Sequence, residues 1–373
     1  MALTTVRPQG MGFNTGRRNL IINGAMQVAQ RGTSSTGNTG GGYKTVDRFT
    51  VETAGRDNLI YTAEQVSDAP VGFTNSFKFT TTTAESAIDA DDAFWFAQKI
   101  EAQNLQHIKN GSSGAVSTTV SFYVKSSQTG TFGVSIYKAD NTARIINSTY
   151  TISSANTWEY KTITFAGDTG GGGINNDDGE GLRISWFLAA GSNYDSVNST
   201  SWANYITTNW AGGHAQDSVI TTANATWQLA GVQFEVGENA SDFEHRSFGE
   251  ELNLCQRYYQ KIGPAADGSA ANRTIYGLGF VINSSNFRPL INFPVKFRTA
   301  PGAIETSGTA SHFSCSFGAD SSQALNSVPT YDVANSTTFF GGCNLSGTPL
   351  NTSEVVTLRS NHADSYLAWD AEL

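Results

Sequence analysis

The stretch from Trp227 to Ile262, WQLAGVQFEVGENASDFEHRSFGEELNLCQRYYQKI, decides how the rest of the chain is divided. Its first ten residues alternate in polarity, and this period of two predicts a strand with one apolar face. Gly237 and Asn239 end the alternating pattern. The residues expected on the apolar face are Ala230, Val232, Phe234 and Val236.

A short amphipathic helix is predicted directly after this strand. Ser247, followed three residues later by Glu250, has the spacing of a capping box. Behind this start Leu252, Cys255 and Tyr259 lie at positions i, i+3 and i+7 of one helical face. We expect a helix over residues 248–261, which is too short to be stable without a partner surface. A new pattern of strands begins after Gly263, so the helix is predicted to join two β domains.

The composition indicates a β-rich protein rather than a helical enzyme. The chain has 373 residues, which suggests two or three domains. Charged residues make up 15% and aromatic residues 11%, and there are 38 glycines, a profile typical of all-β extracellular or virion proteins. The net charge of −9 argues against a nucleic-acid partner. No run of about 20 apolar residues occurs, so no membrane insertion is expected.

Short alternating runs separated by turn residues fill both sides of the joint. About ten such runs precede it, and this number without long helices predicts an antiparallel β-sandwich or barrel, with jelly-roll wiring as the expected closure. The runs after Gly263 predict a second, smaller β-sandwich of about 110 residues. An internal repeat of 20–50 residues is missing, which disfavours a solenoid or propeller. The predicted fold class is therefore all-β.

Three segments resemble bacteriophage tail-fibre and related virion proteins. They are LAGVQFEVGENASDFEHRSFGEELNLCQRYYQK from Leu229, NLIINGAMQVAQRG with YKTVDRFTV from Asn19, and LINFPVKFRTAPGAI with the terminal YLAWDAEL. In that family such segments close a carbohydrate-binding-module-like jelly roll and lead through a helix into a C-terminal tip. The resemblance implies an attachment segment at 1–18, a jelly roll at 19–246, a linking helix at 247–262 and a β tip at 263–373.

The same resemblance implies a virion fibre, on the tail or the head, that is assembled in the host cytoplasm. Fibres of this kind are generally homotrimers, and three copies around an axis would bury the stripe of Leu252, Cys255 and Tyr259, although packing on the chain's own sandwich would also bury it. The N-terminal segment would dock onto other virion proteins through Arg7, Arg17 and Arg18, the alternative being a frayed terminus. The tip would bind a host-surface glycan or protein receptor, with avidity from several copies.

Two other functions remain open at this stage, a glycan depolymerase or hydrolase and a capsid or tail decoration protein that binds nothing. The usual catalytic motifs are missing from the sequence, including GxSxG, the P-loop, HExxH and GxGxxG. Its five histidines have no metal-ligand spacing. We therefore expect no enzyme activity and no cofactor. Cys255, Cys315 and Cys343 are expected to be free and buried, although Cys315 and Cys343 would be able to pair in an oxidising medium.

Two acidic clusters suggest either a structural calcium ion or ordinary solvated loops. Carboxylates together with loop carbonyls hold Ca²⁺, but neither cluster has EF-hand spacing. A glycosidase would instead need two carboxylates facing each other across a sugar, about 5–10 Å apart. The residues concerned are Asp89, Asp91 and Asp92 in the first cluster, and Asp177, Asp178 and Glu180 in the second.

The long segment from Gly191 to Thr226 is the main candidate for a glycan site. Connections of this length are uncommon without a function. Aromatic rings that stack on sugar faces, beside polar groups that bond hydroxyls, would make such a site. The candidate residues are Tyr194, Trp202, Tyr205 and Trp210. The alternative, which we prefer because phage relatives carry a Trp in the corresponding loop, is that Trp202 and Trp210 pin the segment to the sandwich or to a neighbouring subunit.

Overall fold

The computed structural model describes residues 17–55, 58–263, 274–317, 321–345, 347, 349–352 and 354–373. The chain is divided into two compact units. Unit 1 contains the described residues up to Glu251 together with Leu373, and unit 2 contains those of Leu252–Glu372.

Unit 1 is built from two antiparallel sheets. Its strands are β1 (Ser34–Asn38), β2 (Gly42–Tyr43), β3 (Phe49–Ala54), β4 (Ile60–Val66), β5 (Ser76–Thr83), β6 (Ala93–Glu101), β7 (Thr118–Ser126), β8 (Gly130–Lys138), β9 (Arg144–Ile152), β10 (Glu159–Phe165), β11 (Glu180–Ala190), β12 (Ala203–Asn204) and β13 (Thr226–Val236). The six-stranded sheet has the order β1-β4-β5-β13-β7-β10, and the seven-stranded sheet has the order β12-β9-β8-β11-β6-β3-β2.

Helical segments in unit 1 are short. They are 3₁₀ helices at Ala102–Ile108 and Thr207–Asn209, and the α-helices α1 (Ser192–Asp195) and α2 (Ser218–Thr221). A third α-helix, α3 (Phe248–Gln256), spans the boundary between the units. The described helices are all too short or too polar to cross a lipid bilayer.

Aromatic side chains from both sheets form the core of unit 1. Phe77 of the six-stranded sheet stacks on Phe96 of the seven-stranded sheet with ring centroids 4.0 Å apart. Phe122 and Trp186 make a second contact across the layer at 5.8 Å. These rings belong to one continuous buried cluster, so the two sheets pack face to face as a sandwich. The predicted all-β fold class is confirmed.

Strand β13 has a single apolar face, as predicted, but one member of that face differs, because Leu229 takes the place of Ala230. A bulge at Gly231, with φ +59°, inserts one extra residue between the pairs Ala230–Tyr123 and Gln233–Ser121. Because the bulge shifts the alternation by one position, Leu229 and Val232 both enter the core. The opposite face is buried too, and its polar side chains are hydrogen-bonded. The side-chain carbonyl of Gln233 accepts a hydrogen bond from the Glu244 N–H (2.8 Å), and Glu235 accepts one from the Ser241 N–H (2.9 Å).

Unit 2 is a smaller antiparallel β-sandwich. Its strands are β14 (Tyr259–Ile262), β15 (Ile275–Asn283), β16 (Asn286–Asn292), β17 (Glu305–Thr306), β18 (Phe313–Phe317), β19 (Ser321–Ala324), β20 (Thr330–Ala334), β21 (Thr338–Asn344), β22 (Val355–Ser360) and β23 (Leu367–Asp370), with a 3₁₀ helix at Ala310–His312. They form a sheet of order β14-β23-β17 and another of order β19-β18-β22-β15-β16-β21-β20. Trp369 of the small sheet lies 5.1 Å from Phe339 of the large one, ring centre to ring centre, inside the core.

The joint between the two units is shorter than predicted. The start of α3 is confirmed, because the Ser247 hydroxyl accepts the Glu250 N–H at 3.3 Å. The helix ends at Gln256, and Tyr259 begins β14, where it pairs with Asp370. The prediction of a helix to residue 261 is therefore wrong, because strand pairing with β23 overrides the helical spacing. Cys255 and Tyr259 are 0% and 2% exposed in the single chain, so these two residues are not available to face another subunit.

Candidate functional site

An aromatic cluster lies on the outer face of the seven-stranded sheet of unit 1. Strands β6, β8 and β11 each contribute one side chain that points away from the core. Side chains on a strand point alternately to the two faces of the sheet. The residues next to these three in sequence point into the core, so the three themselves point outward. The inward neighbours are Phe94, Phe96, Ile136, Leu182 and Ile184. The outward side chains are Trp95, Tyr137 and Arg183, and they border an open cleft of about 230 Å³.

The segment from Gly191 to Thr226 supplies the remaining wall of this cleft, through Tyr194, Tyr205 and Trp210. Backbone hydrogen bonds fix the segment on the sheet: the Asn147 N–H of β9 donates to the Ser199 carbonyl (2.7 Å), and the Tyr205 N–H donates to the Ala143 carbonyl (2.9 Å). Strand β12 also pairs with β9 at the sheet edge. The segment is thus held in place as an integral part of unit 1.

Trp210 is the centre of the cluster. Its ring lies 5.2 Å from Tyr137, 5.4 Å from Tyr205 and 5.8 Å from Trp95, each in an edge-to-face arrangement. Trp210 is only 6% exposed, whereas the three tyrosines are half-buried and present part of each ring to the cleft. The indole N–H groups of Trp95 and Trp210 are buried and have no hydrogen-bond partner among the described residues. Unpaired buried donors are rare in folded proteins, so each requires a structural or functional explanation.

Arg183 is the charged group of the cleft. Its guanidinium binds Glu180 through two hydrogen bonds of 2.8 and 2.9 Å and Glu52 through a third of 3.4 Å. It also lies over the rings of Tyr137 and Trp210, at 5.7 and 5.5 Å. A guanidinium has five N–H donors, so two remain without a partner in the described part of the chain. Burial lowers the pKa of Arg183, but the hydrogen bonds and charges of Glu180 and Glu52 outweigh burial and raise it, so this side chain stays charged.

The tyrosines of the cleft are neutral hydrogen-bonding groups. Burial raises the pKa of both Tyr137 and Tyr205 above its ordinary value. Each phenol therefore keeps its O–H as a donor and its oxygen as an acceptor at neutral pH. Ring surfaces, phenol groups and guanidinium N–H donors together suit a ligand that has both apolar C–H faces and hydroxyl groups.

The sequence predicted three of the cleft residues, Tyr194, Tyr205 and Trp210, but not the residues that come from the strands. Trp202 lies outside the cleft: its indole N–H donates to the Ala166 carbonyl at 2.6 Å and its ring packs on the main core. These contacts pin the segment to the sandwich. Tyr137 and Arg183 were not predicted, because they come from distant strands. An outward position on an alternating strand was the one signal that pointed to them.

Neither acidic cluster forms a carboxylate-rich metal site. Among the described residues no group of three or more His, Cys, Asp or Glu side chains is placed to hold a metal ion. The carboxylates serve the local fold instead: Asp92 accepts the Asp89 N–H (2.9 Å), Asp177 accepts the Gly179 N–H (3.0 Å), and Glu180 binds Arg183. Asp91 and Asp178 are exposed. The prediction of structural calcium has no support from these side chains.

The arginines predicted to attach the chain to a virion are only partly described. Arg7 lies outside the described residues, and Arg17 is exposed. Arg18 contacts its own unit, because its guanidinium donates to the Asp242 carbonyl at 3.2 Å and its backbone N–H donates to the Glu244 carboxylate, also at 3.2 Å. An attachment role for these residues stays a prediction.

Comparison with known proteins gives only distant similarities. No family model matches the chain, and no curated protein matches it. Among solved structures, the chain is similar to the enzymatically active domain of bacteriophage CBA120 tailspike protein 4, with a TM-score of 0.33 and 15% identity. The match covers 59% of this chain and 21% of the tailspike chain. The chain is also similar to a CBM4 structure (TM-score 0.30, 12% identity, 58% of this chain and 98% of that one). A third is the family 11 carbohydrate-binding module of Clostridium thermocellum cellulase Lic26A-Cel5E (TM-score 0.28, 11% identity, 54% and 98%).

Proposed function

We propose that this protein is a phage virion adhesin of tail-fibre type that binds host-surface glycans through the aromatic cleft of unit 1. The observation that carries the proposal is the convergence of five aromatic side chains and Arg183, from three strands and one long segment, on a single open cleft. Two of the rings are almost fully buried and therefore rigid, and the three tyrosines supply exposed ring surface and phenol groups. This is the physical composition of a sugar-binding site.

The cleft is suited to a short part of a glycan. Its volume of about 230 Å³ is below the 300–1,000 Å³ typical of pockets for drug-sized ligands, so we infer that it takes the end of a chain or one to two sugar units. A site of this size binds weakly by itself. Adhesion would gain strength from several copies on one particle.

We retain the homotrimer as part of the proposal but assign it to a different surface. One face of the seven-stranded sheet of unit 2 carries large apolar side chains that are more than half exposed, namely Ile275, Leu278, Phe280, Ile282 and Val355. Phe280 and Val355 are direct neighbours across β15 and β22. Contiguous apolar surface of this kind commonly marks an interface. The surface is called the unit 2 apolar face below.

Virion location and docking of the N-terminal segment onto other virion proteins rest on the resemblance of three sequence segments to phage fibres. A glycan depolymerase is the less favoured alternative, because Glu52 and Glu180, the carboxylates that contact the cleft residue Arg183, are both engaged in binding its guanidinium. A glycosidase needs one carboxyl group that gives up a proton and another that attacks or activates water.

The proposal is tested by binding of the full chain to polysaccharide extracted from host cell envelopes. We expect Tyr205→Ala to weaken binding at least tenfold, since it removes one wall of the cleft. The matched control is Ile206→Ala, which changes an exposed neighbour that does not line the cleft. Equal binding by both variants would show that the glycan does not bind in this cleft. Release of reducing ends from the polysaccharide would show that the protein is a depolymerase. No binding at all would favour a decoration protein.

A further inference from the structure

A second and larger cleft lies on the opposite side of the unit 1 sandwich. It has a volume of about 570 Å³ and is formed on the outer face of the six-stranded sheet. Its lining includes Phe73, Ser121, Tyr123, Tyr160, Phe243 and His245. Because the two sheets meet core to core, the outer face of one sheet and the outer face of the other point in opposite directions. The two clefts therefore share none of their lining residues.

Strand register builds one wall of this second cleft. Val120, Phe122 and Val124 of β7 enter the core, so Ser121 and Tyr123 point outward. The pairing of β7 with β10 sets Tyr160 beside Tyr123 and Thr162 beside Ser121. The two tyrosine rings lie 4.8 Å apart at a tilt of 44°. Tyr160 is about half exposed, so much of its ring surface is available to a ligand.

The other wall is formed by Phe73 and by the segment that follows β13. The ring of Phe73 lies 4.9 Å from Phe243, 5.3 Å from His245 and 5.6 Å from Tyr123. Gly231 makes this arrangement possible, because a Cβ atom at that position would lie 2.6 Å from the Phe73 ring. The bulge of β13 thus leaves room for an aromatic ring on the outer face of the sheet.

The neutral hydrogen-bonding groups of the second cleft include hydroxyls and an amide. Ser121 is 3% exposed, and its hydroxyl makes no hydrogen bond to the described residues, although it borders the cleft. Thr162 and Asn239 add an exposed hydroxyl and an exposed amide. Of the lining residues, Asp242 is the one with a carboxylate, and Lys and Arg do not occur among them. Because the Ser121 hydroxyl borders the cleft, a ligand group there is able to hydrogen-bond to it.

We propose that this cleft is a second glycan-binding site, which takes a neutral oligosaccharide of several units. Four aromatic rings supply stacking surface, and the serine, threonine and asparagine groups match sugar hydroxyls. The lining has no Lys or Arg to bind a uronate or sialate, the His245 ring packs against Phe73 and Phe243, and the Asp242 carboxylate would repel an anionic sugar. The larger volume fits an internal stretch of a chain rather than its end. This proposal goes beyond the adhesin proposal and does not depend on the first cleft.

The test is calorimetric titration of the full chain with maltotetraose, cellotetraose and chitotetraose, and with tetragalacturonate as the anionic comparison. We expect at least one neutral tetrasaccharide to bind, and Tyr160→Ala to weaken that binding at least tenfold. Tyr160→Phe keeps the ring and should retain binding within about threefold. Ser121→Ala, which removes only the hydroxyl, should weaken it as well. Unchanged thermal unfolding of Tyr160→Ala verifies that the variant is folded, as expected for a half-exposed residue on an edge strand.

Comparing the single variants Tyr160→Ala and Tyr205→Ala in the same titration separates the two proposals. Loss of tetrasaccharide binding with Tyr160→Ala alone supports the second cleft whatever happens at the first. Loss with Tyr205→Ala alone overturns the second cleft and leaves the adhesin proposal standing. A failure of every neutral tetrasaccharide to bind, or tighter binding of tetragalacturonate, also overturns the second cleft.

Discussion

Gly231 shows how one residue changes the face that a whole strand presents. Its φ of +59° lies in the left-handed region, which glycine enters without steric cost. The extra residue lets Leu229 and Val232 share the core and leaves space for Phe73 on the other side. Both the core of unit 1 and the second cleft therefore depend on this glycine.

We expect Gly231→Ala to lower the free energy of unfolding of unit 1 by about 1–3 kcal/mol or more, since the new Cβ would be strained and would collide with the Phe73 ring. Gly249→Ala is the matched control. Gly249 lies in α3, and a Cβ there would meet nothing within 4 Å, so alanine should stabilise the helix by up to about 1 kcal/mol. Chemical denaturation of both variants checks this, and a similar effect of the two would refute it.

The three cysteines of the chain are buried and form no disulfide with one another. Burial raises the pKa of the Cys315 thiol to about 12 and that of Cys343 higher still, so little reactive thiolate is present near neutral pH. We expect a disulfide-exchange reagent such as DTNB to label almost no thiol in the folded protein at pH 8. In guanidinium chloride without reductant it should label all three. Labelling of a single thiol after denaturation would indicate that Cys315 and Cys343 are paired.

Among the elements of unit 1, a buried ion pair holds the turn of four glycines at 170–173. Lys138 and Asp168 are both 0% exposed and lie 3.2 Å apart. The Lys138 ammonium also donates to the carbonyls of Gly171 and Gly172, at 3.1 and 2.6 Å. Asp168 accepts a further hydrogen bond from Arg144 at 2.9 Å. The glycines, which have little intrinsic preference for one conformation, are thus ordered by charges from β8 and β9.

Asp168→Asn should destabilise unit 1 by about 3–5 kcal/mol, because it leaves the Lys138 charge buried without its counter-ion. Asp140→Asn is the control in the turn between β8 and β9. Asp140 binds the backbone and side chain of Asn175 near the surface, so its loss should cost about 1 kcal/mol or less. Urea unfolding curves measure both. A small effect of Asp168→Asn would mean that water solvates Lys138 in the folded state.

For the molecule as a whole, the unit 2 apolar face is the surface to which we assign the proposed homotrimer contact. Cys255 and Tyr259 of the predicted helical stripe are already buried in the single chain, so that stripe has little surface left for another copy. Strand β15 exposes Leu278, Phe280 and Ile282 on one side while Tyr276 and Val281 enter the core on the other. An exposed apolar sheet face of this kind is an aggregation risk in a monomer unless other copies cover it.

We expect light scattering to give a particle mass of three times the 39.8 kDa chain. The double variant Leu278→Ser, Phe280→Ser should shift the mass toward one chain, because it removes the largest apolar groups from the centre of the face. Val71→Ser, at a fully exposed position of unit 1, should leave the mass unchanged. A monomeric native protein, or a trimer that survives the double substitution, would contradict the assignment.

Local sequence patterns were enough to establish the all-β class, the division near residue 250 and the start of α3 at Ser247, because strand alternation and helix capping are written within a few consecutive residues. They also singled out Tyr194, Tyr205 and Trp210. Long-range packing was needed to place Tyr259 in a strand, to form the bulge of β13, and to bring Trp95, Tyr137 and Arg183 to Trp210. Those outcomes depend on which strands pair and in which register, and pairing energies between distant residues leave no periodic trace in the chain.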